Sequence, residues 1–328
     1  SPDNIILNKI PHKYDESATP GETEKILNSI IYNKRNMSVF HDYMSVCLYP
    51  DIGIYFMMMF VGEGGTGKKQ LATFMQDLYG EDNVSNFTLH SISSDDTNQI
   101  ECANSMLNID EDMSPDDIKN ISVLLKWCTR DKFSARPIYG FPVKYRPQSR
   151  LMANANELFE ISSLQHQKPM YDRVHIVELT RRFRKTDEEV TDIIKKNTTD
   201  ENYNYYITRA LKNATILYKT QKVEQLQTQK EVENIWNKFG NRVNEFIKYR
   251  IIPMQVGFIT KQELFEAWDD FVYVREYSHR TKSQFFSKIE SILDQQASRK
   301  RSGDREYGYK GFRLLTDGEI ADKEQMNI

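Results

Sequence analysis

The stretch from Phe56 to Lys68 constrains this chain more than any other. An apolar run, Ile54 to Val61, passes directly into Gly62-Glu63-Gly64-Gly65-Thr66-Gly67-Lys68, which fits the spacing G-x-x-x-x-G-K. This order predicts a buried strand, a glycine turn and a helix start. Glycines let successive backbone N–H groups curl around an anion with no Cβ in the way. The next segment, with Leu71, Phe74 and Leu78 on one helical face, turns its free N-terminal amides to the same anion. Gly62, Glu63, Gly64, Gly65, Thr66, Gly67, Lys68 and Lys69 are thus the expected nucleotide-binding residues, with Lys68 reaching the β- and γ-phosphates of ATP. Lys69 stands where Ser or Thr normally offers a hydroxyl to Mg²⁺. An ammonium has no lone pair to give and repels a cation. The backbone cradle survives that change; efficient magnesium-dependent hydrolysis is what it puts in question.

A chain of 328 residues predicts two or three domains. Its net charge of −3 and pI of about 6.1 exclude a general polycation, so contact with nucleic acid must rest on local patches. Cys47, Cys102 and Cys128 have no C-x-x-C spacing and read as free buried thiols in a reducing compartment. No signal peptide is visible, and the run Ile54 to Val61 is far short of the roughly 20 apolar residues a spanning helix needs. A cytoplasmic protein with no membrane partner is expected.

Residues 1–50 read as an N-terminal helical segment. Pro11 interrupts its start, and Ile26, Leu27, Ile30, Ile31, Val39, Phe40, Tyr43, Met44 and Cys47 follow at helical spacing. The chain reads as beginning in mid-flow, as a fragment of something longer would. Residues 51–183 form the expected nucleotide-binding core. Asn86 to His90 is a candidate strand. Ser105 to Glu111 is a buried strand ending on acids: Asp110 is placed to hold the metal, and Glu111 to polarise the attacking water. Solvated acids at a strand end are the plainer alternative. Thr129 to Pro147 alternates basic and aromatic residues around Gly140, a hairpin able to neutralise phosphates and stack on bases, or merely a solvated basic turn. A further strand runs from Arg150 to Asn156, with a polar amide at its ligand-facing end. Arg173 precedes the next strand; it suits either phosphoryl-charge stabilisation from a neighbouring subunit or a surface ion pair.

Glycine loop, acidic strand, basic hairpin, asparagine-ended strand and arginine, in this order, resemble the superfamily-three AAA+ helicases, in particular the poxvirus-type helicase-primase branch. Within it, the resemblance extends to replication initiators of staphylococcal pathogenicity islands and related phages, which are mobile elements. Asn8 to Asp15 is similar to the segment before the ATPase in that branch. The resemblance implies an α/β AAA+ phosphate-loop core and makes Lys68, Asp110, Glu111, Asn156 and Arg173 the catalytic set. Asp110 is its metal ligand, Asn156 the nucleotide-sensing asparagine (Asn154 being a rival), and Arg173 the arginine finger. It makes the hairpin a DNA-tracking element, with Arg136, Tyr139, Phe141 and Lys144 as contacts. It further implies ATP and Mg²⁺, a hexameric ring, 3′-to-5′ translocation on single-stranded DNA in a bacterial cell, and primase or other replication proteins as partners.

Residues 184–245 read as a helical linker, with Lys219 to Glu233 a solvated charged helix. Residues 246–316 read as a winged-helix DNA-binding domain: a capped helix from Thr260, a second helix from Ser283, then two strands about a basic turn. Between Arg275 and Arg313 ten lysines and arginines face five acids, which points to origin DNA. Lys282, Lys288, Arg299, Lys300 and Arg301 are the expected contacts. Residues 317–328 read as a disordered tail. The function expected is an ATP-dependent DNA helicase and replication initiator. The alternatives are a hydrolysis-impaired origin-binding or loading scaffold of the same fold, and a phosphate-loop kinase that would not bind DNA.

Overall fold

The computed structural model describes residues 8–115, 118, 120–136, 140–159, 161, 164–183, 192–240, 242–274, 282–299 and 306–326. The chain forms two compact units, Ser1–Ile235 and Trp236–Ile328. Among the described residues no helix is long and apolar enough to cross a membrane.

Unit one opens with α1 (Gly21–Ile30) and α2 (Lys34–Leu48), separated by a break at which the Asn33 side chain caps α2. Then come β1 (Met57–Val61), α3 (Lys68–Tyr79), β2 (Val84–Ser85), α4 (Leu89–Ser94), α5 (Asp96–Ala103) and β3 (Leu107–Met113). After α6 (Ile121–Cys128), a hairpin of β4 (Phe133–Ala135) and β5 (Val143–Tyr145) leads to β6 (Arg150–Ala155), α7 (Leu164–Tyr171) and β7 (Val174–Glu178). The helices α8 (Ile193–Asn197) and α9 (Asp200–Thr220) follow, and α10 (Gln229–Phe239) begins in unit one and ends past its last residue. The main sheet has the order β2-β3-β6-β1-β7, and every pairing in it is parallel. A parallel sheet is covered on both faces, so its central strands are continuously apolar. β1 obeys this: all five of its residues are buried.

The helical lead-in is no separate layer. Leu27, Ile30, Phe40 and Tyr43 share one apolar cluster with Phe60, Phe74 and Tyr206. α9 is capped by Thr199 and Asn202, and buries Tyr203, Tyr206, Ile207, Ala210, Ala214 and Leu217 at helical spacing. Two readings of secondary structure are corrected here. No strand forms over Asn86 to His90: β2 ends at Ser85, and the Thr88 hydroxyl accepts from Ser91 N–H and starts α4. The stretch Lys219 to Glu233 is not one wet helix. Between α9 and α10 it buries Val223 and lays Gln227 along the outer edge of β7: Ile176 N–H donates to Gln227 Oε1, and Gln227 Nε2 donates to Ile176 O, both at 2.8 Å. One side-chain amide thus takes the place of a missing neighbour strand.

All three cysteines are buried and unpaired, and burial pushes each thiol up to about 12.

Unit two contains α11 (Arg242–Arg250), β8 (Ile251–Thr260), α12 (Lys261–Val274), α13 (Lys282–Leu293), β9 (Ser298–Arg299), β10 (Tyr307–Leu314) and α14 (Asp317–Met326). Its antiparallel sheet has the order β8-β10-β9. Phe246, Trp268, Phe271, Phe285 and Tyr309 form its core. The capping box of α12 forms: Glu263 N–H donates to Thr260 Oγ1 at 3.1 Å, and Thr260 N–H to Glu263 Oε2 at 2.9 Å. The tail expected over 317–328 is corrected in its described part. Thr316 and Glu319 repeat the same box, and Glu319 holds Arg313 with two bonds of 2.7 and 2.5 Å, which starts α14.

Candidate functional site

In a parallel sheet, ligands sit in the crevice beyond the carboxyl ends of the strands. Here that crevice is a cavity of about 440 Å³, lined by Gly64 to Gln70, Glu111, Asp112, Asn156, Ile26, Ser29, Ile30, Phe183, Asp192 and Ile193. It lies where β1 turns into α3. The turn needs its glycines at two points. A Cβ on Gly62 would lie 2.3 Å from Leu179 O, and Gly67 has φ +93 with Ile30 packed against it. Gly64 has nothing within 4 Å of its Cβ position. The amides of Gly64, Gly65, Thr66, Gly67, Lys68 and Lys69 donate to no acceptor among the described residues, whereas Gln70 and Leu71 both donate to Gly67 O. Six consecutive N–H groups at the open end of a twelve-residue helix are the kind of donor array that suits an anion.

Lys68 folds back over its own loop. Its Nζ donates to Gly62 O, to Glu63 O at 2.9 Å and to Asn156 Oδ1 at 2.9 Å. Burial pushes its ammonium down to about 8, against the opposing pull of Asp112 and Glu63. Glu63 and Thr66 do not line the same space equally. The Thr66 hydroxyl is buried and donates to Glu63 O, while the Glu63 carboxylate pairs outward with Arg182 at 3.3 Å.

The acids fall differently from the sequence reading. Asp110 is 2% exposed and does not line the cavity. Its Oδ2 accepts Leu89 N–H at 2.8 Å, at the start of α4, and burial raises its pKa. Glu111 and Asp112 are exposed and both face the cavity. The register explains this. Asp110 is level with Ala153 and Met113 with Ala155, so two residues of β3 oppose the single Asn154. Such a bulge turns consecutive side chains the same way, and bulges concentrate beside functional sites. Asp110 thus gives one oxygen to a helix start and stands outside the cavity lining, where Glu111 and Asp112 are the acids. Asp112 escaped sequence reasoning because strict strand alternation turns it away from Glu111. The run Asp110-Glu111-Asp112 is the signal that could have flagged it.

The two asparagines separate. Asn156 is exposed on the cavity and bonds Lys68. Asn154 is buried in β6, donates to Lys68 O at 3.2 Å, and leaves its Oδ1 without a partner. Arg173 lies at the other end of the sheet. Its carbonyl accepts Met57 N–H at the start of β1, and its Nη1 donates to Pro169 O at 2.7 Å. The five residues of β1, about 16 Å at strand rise, separate it from the glycine loop of its own chain. Phe183 is a further residue not foreseen: its N–H donates to Gly65 O at 2.8 Å, and it joins Ile26, Ile30 and Ile193 as the apolar part of the lining.

These donors do not fit a magnesium ion held by side chains in the usual way. Position 69 offers an ammonium in place of the hydroxyl that would coordinate the ion.

The hairpin β4–β5 stands apart from the main sheet, with Phe133 stacked on Tyr145 at 5.6 Å. Arg136 is exposed and braces the turn through Nε to Gly140 O at 3.0 Å. Phe141 is 89% exposed, and Lys144 is exposed. Tyr139 lies outside the described residues, as do Lys300 and Arg301. In unit two, Lys282 is exposed, with its ammonium 5.0 Å from the centre of the Phe265 ring; Lys288 is half-buried and Arg299 is exposed on β9.

A family model described as a family of unknown function (DUF5906) matches residues 60–173, less than half of the chain. No curated protein matches the sequence. Among solved structures, the chain is similar to the A form apo structure of the NrS-1 C terminal region at 14% identity, over 93% of this chain and 78% of that one, with a TM-score of 0.47. A second apo structure of the same region (305-718) has 15% identity, covers 94% and 78%, and has a TM-score of 0.46.

Proposed function

We propose that the cavity binds a nucleoside triphosphate, and that the chain is an ATP-driven motor on single-stranded DNA in replication, of the superfamily-three AAA+ helicase kind. The observation that carries this reading is the row of unpaired amides from Gly64 to Lys69 facing Glu111 and Asp112 across one cavity. The amides and Lys68 hold the phosphates. The apolar lining of Ile26, Ile30, Phe183 and Ile193 takes the base. Glu111 is the carboxylate that orients and deprotonates the attacking water, and Asn156 senses the terminal phosphate through its contact with Lys68. Arg173 is too far from its own chain's cavity to serve it, which supports a ring, a hexamer in this reading, in which it meets a neighbour's nucleotide. The exposed Phe141 and Lys144 offer a stacking face and a phosphate contact, and unit two acts as a winged helix on origin DNA.

A second reading keeps the nucleotide and drops the motor: a loading scaffold. Lys69 and the fully engaged ammonium of Lys68 favour it. DNA-stimulated hydrolysis and strand displacement, with mass measurement of the assembly, separate the two. The motor reading predicts turnover that Lys68→Ala and Glu111→Gln abolish. It also predicts single-strand affinity that Phe141→Ala lowers by about 1–3 kcal/mol, the usual worth of one stacked base. Absence of turnover in magnesium, with displacement unaffected by Lys68→Ala, rules it out.

A further inference from the structure

Lys69 lines the cavity at the first turn of α3 and has no hydrogen-bond or ion-pair partner among the described residues. Lys68 beside it is fully engaged with Gly62 O, Glu63 O and Asn156. At position 69 a Ser or Thr hydroxyl would coordinate a divalent ion. Here the same position carries three N–H donors and a positive charge. Asp110 gives one oxygen to Leu89 N–H and stands outside the cavity lining.

We propose that this site binds its nucleotide without a divalent cation, and that the Lys69 ammonium supplies the charge and the phosphate contacts that a metal and a hydroxyl supply in related loops. The inference rests on the nucleotide reading above. An ammonium beside the phosphates donates directly to their oxygens and asks no ligand of Glu111 or Asp112. A divalent ion in the same place would meet a like charge a few ångströms away in a partly dehydrated cleft, where repulsion is strong. One residue thus makes the metal unnecessary for binding and unfavourable where it would otherwise sit. Glu111 and Asp112 then serve as counter-charges to the two lysines in the empty cavity.

The test is equilibrium binding of fluorescent ADP and ATP to the full chain, in excess chelator and in millimolar magnesium at matched ionic strength. The expected result is a Kd that differs less than threefold between the two buffers. Lys69→Thr should restore dependence, with binding at least tenfold weaker in chelator than in magnesium. Lys69→Arg, which keeps the charge and the fold of the helix start, should bind in chelator like the parent. Tenfold weaker binding of the parent in chelator overturns the inference while leaving the nucleotide site in place. So does a Lys69→Thr variant as indifferent to magnesium as the parent. Absence of nucleotide binding in both buffers overturns the inference and the reading beneath it together.

Discussion

Replacing Asp110 separates two roles that its position in the sequence cannot. As a metal ligand, its charge is essential and its contribution to stability small. As the acceptor of Leu89 N–H at 2.8 Å, its oxygen matters and its charge is a burden, since burial raises its pKa. Asp110→Ala leaves a buried N–H at the start of α4 unpaired, which costs about 2 kcal/mol. For a unit of this size that lowers Tm by about 4–8 °C. Asp110→Asn keeps an oxygen acceptor and removes the buried charge, so its stability should stay within about 1 kcal/mol of the parent. The sign of the pH dependence follows. A carboxyl whose folded pKa is raised binds its proton more readily in the native state. Its cost is fully present above the folded pKa and disappears as pH falls below the unfolded value of 3.8. The gap between parent and Asn variant should therefore narrow on acidification. The assays are scanning calorimetry and nucleotide titration on both variants. Nucleotide affinity should change less than about twofold in either, as Asp110 does not face the cavity. An Asn variant with parental Tm and a tenfold loss of nucleotide affinity would refute the assignment.

Gly62→Ala drives a Cβ into Leu179 O and should lower Tm by several degrees, while Gly64→Ala, with open space at its Cβ, should melt like the parent; calorimetry on the pair checks this. Gln227→Ala strips the outer edge of β7 of both bonds at Ile176 and should cost about 1–3 kcal/mol in urea denaturation, with faster exchange of the Ile176 amide. The Lys68 ammonium, pushed down to about 8 by burial, regains basicity when phosphates surround it. Nucleotide binding at pH 8.5 should then take up protons, seen as a buffer-dependent calorimetric heat, and affinity should fall as pH rises through that range. In the free protein the same depressed pKa means that stability rises with pH between about 8 and the ordinary lysine value of 10.5, since the unfolded chain holds the proton longer.

Much of the site was legible because it is local. The strand, turn and helix from Met57 to Tyr79 follow from a run of apolar residues, glycines and 3.6-residue spacing, all of which act over a few bonds. The hairpin around Gly140 and the capping box at Thr260 were readable for the same reason. The box at Thr316 carries the same local signal. Other features depended on partners far away in the chain. Glu111 and Asp112 are neighbours in sequence, and alternation alone would turn them apart, yet both line the cavity, because β3 bulges against Asn154. Phe183 and Ile30 reach the loop from opposite sides of it in the sequence. Gln227 looks like part of a wet linker until β7 proves to be the edge of the sheet and its amide the only cover at Ile176 among the described bonds.

By itself, the order of residues determined that a cradle of backbone amides with a lysine stands at a strand end, since backbone amides and small residues need no distant help to make one. Which acids face that cradle, which arginine stays away from it, and what closes the last strand were decided by register and sheet order. Strand pairing joins residues tens of positions apart, and a shift of one residue reverses the direction of every side chain beyond it.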